Sequence, residues 1–119
     1  YYLLEKIPSN YSEKWDDYLY TISNFYFKNS KIEILKLGDF NEQLSDLFLS
    51  KLKSINPDIE IKIINNISEV NYKNNLVLLI QSGMIKREEL VNFKRRFEYG
   101  EFNIMGWILF EETNSTQKT

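Results

Sequence analysis

The 119 residues contain no cysteine and no histidine. The first absence excludes disulfides, thiol nucleophiles and the usual structural zinc sites. The second removes the side chain that most often serves as a general base near neutral pH. Any catalysis would rest on carboxylates, tyrosine, lysine or serine. A cysteine-free composition suits the cytosol. No apolar run approaches the roughly 20 residues that a membrane-spanning helix needs. Neither sign of charge dominates, with 15 Lys and Arg against 17 Asp and Glu. The totals therefore do not point to DNA or RNA, and we expect no nucleic-acid partner. Glycine occurs four times and proline twice, so each marks a boundary worth reading. What is abundant is apolar, 43% of residues with 15% aromatic. At this length that suffices for one core without covalent staples. The chain opens Tyr1-Tyr2-Leu3-Leu4 without an initiator Met, so a segment of a longer protein is expected.

The clearest organisation lies in residues 76–112. Leu76-Val77-Leu78-Leu79-Ile80 is a continuous apolar run, the mark of a strand buried on both faces. Residues 86–99 follow with helical spacing, and Gly100 stands where a helix would stop. Residues 104–110 form a second apolar run. Two buried strands joined by one amphipathic helix make a βαβ unit, which requires a parallel sheet. Upstream, residues 1–11 read as an extended entry segment, with Pro8 preventing an early helix. Ser12 is a candidate N-cap, and Trp15, Tyr18, Leu19, Ile22 and Phe25 recur at helical spacing. Asn29-Ser30 signals a turn, and residues 31–37 read as a strand ending at Gly38. Asp39 followed by Glu42 reads as a capping box for a helix with the stripe Phe40, Leu44, Leu47, Phe48, Leu52 and Ile55. Asn56-Pro57 ends it. Ile59, Ile61 and Ile63 alternate with Glu60 and Lys62, the pattern of a half-exposed edge strand. Residues 67–73 are irregular, with room for one helical turn. Residues 113–119 are polar and read as a frayed tail.

The order α-β-α-β-β-α-β predicts a three-layer α/β/α sandwich, with a short, mostly parallel four-stranded sheet of P-loop or Rossmann-like type. It spans residues 1–112 as a single domain. Strand order 2-1-3-4 is expected, because the chain can reverse direction at the first strand. The link from Ile64 to Leu76 is too short for an ordinary crossover helix. Either it has been shortened, or those two strands are not neighbours.

Three groups of residues carry candidate chemistry. Gly38, Asp39, Phe40 and Asn41 lie at a strand's C-terminal end, where open α/β sheets bind ligands. The plainer reading of Asp39 and Glu42 is a helix cap. Lys86, Arg87, Lys94 and Arg95, with Arg96, offer a basic patch for anionic lipid or phosphate. Glu88, Glu89 and Glu98 balance it, as on any solvated helix face. Tyr20 and Tyr26 sit off the apolar stripe of the first helix and are candidates to face a partner.

Five stretches resemble the cytoplasmic domain of bacterial polysaccharide co-polymerases, the chain-length determinants, and most closely their P-loop tyrosine autokinase domain. Leu4-Glu5-Lys6-Ile7-Pro8 is similar to the leucine-glycine-x-isoleucine-proline segment that leads from the membrane helix. Residues 13–27 resemble the helix before the first strand, and residues 32–38 the strand that feeds the phosphate loop. Gly83-Met84-Ile85-Lys86-Arg87-Glu88-Glu89-Leu90 resembles glycine-x-threonine-lysine-arginine-glutamate-glutamate-leucine. Asn103-Ile104-Met105-Gly106-Trp107-Ile108-Leu109 resembles asparagine-valine-leucine-glycine-valine-valine-leucine.

The chain departs from that family where its chemistry lies. A phosphate loop needs several glycines and a lysine. Residues 37–45 hold one glycine, no lysine, and the acids Asp39 and Glu42. Asn65 and Asn66 stand where the family has magnesium-binding aspartates. The segment with its other metal-binding aspartate is missing between Asn66 and Asn75. Asp16 and Leu19 stand where the ring-assembly arginines belong, and no tyrosine cluster follows Phe110. The resemblance therefore implies a kinase-like fold without kinase parts and without a cofactor. The expected function is a non-catalytic regulator of capsule, exopolysaccharide or O-antigen chain length at the cytoplasmic face of the bacterial inner membrane. It would act through self-association and contact with a polymerase or a separate kinase. The alternatives are residual ATP/ADP sensing through Gly38, Asp39, Phe40 and Asn41, or a small flavodoxin- or receiver-like module.

Overall fold

A computed structural model describes residues 3–28, 31–71, 73–100 and 102–112. The expected turn at Asn29-Ser30 and the expected frayed tail at residues 113–119 lie outside these. The elements are β1 (Leu3–Pro8), α1 (Trp15–Phe25), β2 (Lys31–Lys36), α2 (Glu42–Ile55), β3 (Glu60–Ile64), a 3-10 turn (Ile67–Glu69), β4 (Asn75–Gln81), α3 (Arg87–Tyr99) and β5 (Ile104–Glu111).

All five strands are parallel, in the order β1-β5-β4-β2-β3. The expected order of four strands appears within it as β3-β2-β4-β5. Read from that edge, the sheet has the 2-1-3-4-5 order of flavodoxin-like doubly wound folds. Its fifth position is filled from the other end of the chain. The expected entry segment is thus corrected to a strand, β1, in parallel register with β5 from Leu3↔Trp107 to Pro8↔Glu111. The short link after β3 is also explained. β3 and β4 are not neighbours, because both pair with β2.

The chain's direction across the sheet decides which face each connection covers. The steps β1→β2 and β2→β3 run toward the β3 edge, and the steps β3→β4 and β4→β5 run back. Crossovers of a single hand then place the first two connections on one face and the last two on the other. The packing agrees. Trp15, Leu19 and Ile22 of α1 and Leu44, Phe48 and Leu52 of α2 share one core with Ile7, Ile34, Val77, Leu79, Ile108 and Phe110. Phe97 of α3 and Ile67 of the 3-10 turn share the other with Leu35, Ile64, Leu76 and Leu78. The central strand β4 is buried on both faces, as its unbroken apolar run requires.

Phe110 is the centre of the larger core. Its ring meets Phe48 of α2 at 5.3 Å and Phe40 at 5.4 Å, both edge-on, and Trp15 of α1 at 5.9 Å. Edge-on packing sets the positive rim of one ring against the negative face of another. Trp15 also donates its indole N–H to the carbonyl of Pro8, 2.9 Å away, which holds the end of β1 against α1.

Three local expectations are corrected. Ser12 does not cap α1. The helix begins at Trp15, whose N–H donates to the Ser12 carbonyl in a preceding turn, and Lys14 occupies the cap with no side-chain bond. Phe25 leaves the apolar stripe and is 78% exposed, because α1 ends there and Phe27 turns into the core instead. Asp39 does not cap α2. Asn41, in extended conformation, accepts the Leu44 N–H at 3.1 Å, so Glu42 is the first helical residue and no capping box forms.

One buried charge secures the short β3–β4 link. Glu33 on β2 is 2% exposed, and its carboxylate accepts the Asn71 N–H at 2.7 Å and the Asn74 amide at 3.2 Å. Glu33→Ala removes the acceptor of both bonds and leaves the two part-buried donors without their protein partner. It is expected to cost about 1–3 kcal/mol and to speed hydrogen exchange at the Asn71 amide. Phe110→Ala is expected to cost about 3–5 kcal/mol in urea unfolding, while Phe25→Ala changes stability by less than about 0.5 kcal/mol.

Candidate functional site

In a doubly wound sheet, ligands bind where the chain reverses direction, between the C-terminal ends of adjacent strands whose connections leave for opposite faces. Here those strands are β2, followed by α2 on one face, and β4, followed by α3 on the other. The crevice lies between residues 37–41 and residues 81–86, and the first loop carries Gly38, Asp39, Phe40 and Asn41. Two strand-type bonds lead into it, Leu37 N–H to the Leu79 carbonyl at 3.0 Å and Ser82 N–H to the Phe110 carbonyl at 2.8 Å.

The second loop is a tight turn. Met84 N–H donates to the Gln81 carbonyl at 3.0 Å, and Gly83 takes φ +81° at the third position, as a type II turn demands. The turn presents the Met84 carbonyl to the Asp39 N–H at 2.9 Å. The Gln81 side chain reaches back, and its Oε1 accepts the Asn41 N–H at 2.9 Å. Ile85 lies so close to Gly38 that a Cβ there would stand 2.8 Å from the Ile85 Cβ and 2.8 Å from the Met84 carbonyl oxygen. Gly38 itself takes φ +70°. Only glycine satisfies both conditions. Phe40 is buried against Phe110 and pins the loop from beneath.

The crevice is therefore closed by the protein's own groups. Phosphate binding at a helix N-terminus depends on backbone N–H groups aimed at the ligand. The Asp39, Asn41 and Leu44 N–H groups donate instead to Met84, Gln81 and Asn41. What stays open is a small polar cleft of about 250 Å³ on the β3 side, lined by Lys36, Asp39, Glu42 and Asn65 among others. Lys36 is its one cation, and it pairs with Glu42 at 3.5 Å. With Asp39 added, carboxylates outnumber the lysine, and an anion is disfavoured there. Among the described residues, no group of three or more metal-ligating side chains occurs.

The remaining candidates do not gather. Tyr20 is 52% exposed beside a cleft between the C-terminal ends of α1 and α2. Tyr26 is half-buried and packs on the larger core, so little of it faces outward. Lys86 and Arg87 open α3, where Glu89 accepts the Lys86 N–H at 3.3 Å. Lys94 borders an apolar cleft against the sheet, while Arg95 lines a different cleft with Ile67 and Tyr99. Lys94 and Arg95 thus point to different sides of one helix. Sequence reasoning missed Gln81 and Met84, which close the crevice, and Lys36, which lines it. No local signal marks Gln81 and Met84, since their partners Asn41 and Asp39 lie 40 and 45 positions away in the chain.

No protein-family model, no curated protein and no solved structure matches the chain. The fold and the site define a doubly wound α/β domain whose switch-point crevice is closed toward β4 by its own groups and keeps a small polar cleft at Gly38, Asp39 and Phe40 toward β3.

The two loop glycines separate the effects. Gly38→Ala meets both strain and clash and is expected to cost at least about 1–3 kcal/mol. Gly83→Ala has open space around its Cβ and is expected to cost about 1 kcal/mol from φ alone. Equal losses in chemical denaturation would mean that the crevice is open in solution.

Proposed function

We propose that this domain is non-catalytic and works through protein–protein contacts. Following the resemblance carried by residues 83–90 and 103–109, we place it in a membrane-anchored regulator of capsule, exopolysaccharide or O-antigen chain length, on the cytoplasmic face of the bacterial inner membrane. In that setting its partners are further copies of itself and other polysaccharide-assembly proteins, a polymerase or a separate kinase. Anionic lipid is a further candidate for the basic residues of α3. No helix among the described residues is long and apolar enough to cross a membrane. An anchor would therefore belong to a part of the protein outside them.

The observation that supports a non-catalytic reading is the sealed crevice. Gln81 and Met84 occupy donors that a nucleotide would need, and Ile85 fills the space against Gly38. Lysine and magnesium supply most of the phosphate neutralisation in nucleotide sites. The loop has no lysine, and the nearby Lys36 is already paired with Glu42. Residual nucleotide sensing would require the 81–86 loop to leave the Gly38 backbone.

Calorimetric titration with Mg-ATP and Mg-ADP at millimolar concentration tests this reading. We expect no saturating heat from the wild type or from Asp39→Lys. Saturable binding by the wild type would replace the contact reading with a nucleotide sensor. Finding the complete protein without any membrane-spanning segment would sink the membrane placement alone.

A further inference from the structure

The face covered by α3 is the thin one. Five strands span roughly 19 Å between the outer strand axes, and one helix covers about 10 Å. The opposite face carries α1 and α2, which bury four side chains each, whereas α3 buries only Phe97. An apolar cleft of about 510 Å³ remains between α3 and the sheet, lined by Ile80, Leu90, Phe93, Lys94, Trp107 and Leu109 among others. Leu90 and Val91 on α3 are 40% and 47% exposed, and Leu3, in register with Trp107, is 39% exposed.

The charges on the same flank carry a second signal. The helix dipole favours acids in the first turn and bases in the last. Glu88, Glu89 and Arg96 obey this. Arg87, the first helical residue, and Glu98, the last but one, each sit at the end that disfavours their sign. Both are exposed, and among the described residues neither has an ion-pair partner. Arg87, Leu90, Val91, Lys94 and Glu98 follow the spacing of one helix stripe.

We propose that this stripe is the contact surface of a twofold dimer of the chain, with the two α3 helices packed antiparallel. A twofold axis between Asn92 and Phe93 sets Arg87 against the partner's Glu98, and the reverse, at both ends of the contact. It brings Val91 against the apolar stem of the partner's Lys94 and buries Leu90 beside them. A parallel pair would oppose Arg87 to its own copy and Glu98 to its own copy. The pattern therefore selects the isologous arrangement, which is also the commonest in soluble oligomers. Apolar burial supplies the attraction, and the two ion pairs fix direction and register. This proposal rests on reading the domain as a contact module and names one of its partners.

Sedimentation equilibrium of the whole 119-residue chain tests it. The wild type should show a concentration-dependent dimer. By symmetry, Arg87→Glu or Glu98→Arg alone creates two like-charge contacts and should weaken association at least about tenfold. The double variant restores both pairs and should return to within about threefold of wild type, a coupling that independent sites would not show. Each reversal improves the helix's own charge–dipole fit, so a lost dimer cannot be blamed on a lost helix, and circular dichroism would confirm it. A wild type that stays monomeric at millimolar concentration, or a double variant no better than the singles, overturns the dimer. A monomer that also binds no nucleotide would leave the contact reading standing with another partner. Saturable nucleotide binding would remove that reading whatever the state of association.

Discussion

The edge-on packing of Phe40 and Phe48 against Phe110 is the interaction on which the rest of the structure depends. It joins the last strand to the second helix and to the loop where a ligand site would form. Trp15 adds the first helix to the same ring and, through Pro8, the first strand. Segments from both ends of the sequence thus meet at one buried side chain. A parallel sheet cannot be built from local hairpins, so its strands must be assembled from distant parts of the chain. An aromatic cluster that touches the connections on one face supplies the long-range contacts that such an assembly needs.

The same cluster constrains function. Phe40 sits among Gly38, Asp39 and Asn41, so burying it fixes the backbone of the whole loop. With that backbone fixed, Asp39 and Asn41 present their N–H groups to the facing turn, and Gln81 and Met84 receive them. A loop that receives phosphate must hold its donors ready and unpaired in the free protein. Here the donors already serve to lock two loops together across the switch point. The crevice serves packing in this structure, since its donors are used between its own loops.

Much of this fold is legible in the sequence because its elements obey simple periods. The run from Leu76 to Ile80 announces a doubly covered strand, and the alternation from Ile59 to Ile63 announces an edge. The stripes from Leu44 to Leu52 and from Trp15 to Ile22 announce their helices. What escapes has physical causes. β1 reads Leu-Leu-Glu-Lys-Ile-Pro, and a register shift between Leu3 and Glu5 breaks its alternation. Its edge position also tolerates Pro8. Asp39 and Asn41 are both good cap residues two positions apart. The loop geometry set by Gly38 and Phe40 decides between them, and no propensity does. Gly38 is legible as a turn glycine, but the reason it cannot be replaced, Ile85 and Met84 overhead, is a tertiary contact. The candidate loop was therefore visible from its own residues, whereas its closure was not, because the closing groups come from another part of the chain.

The distribution of apolar surface supports the functional reading from the opposite direction. A domain built to bind a small ligand would leave polar groups unpaired inside a pocket. This one pairs them and leaves apolar side chains exposed instead, Leu90 and Val91 among them where a single helix must cover most of a five-stranded face. The helix there is held by one buried phenylalanine, and it carries charges that its own dipole does not favour. Neither feature adds to the stability of an isolated domain. Both become favourable when a second surface of complementary charge lies against that helix. What is left exposed on α3 is thus a flank rather than a cavity, and it is the surface that the proposed dimer would cover.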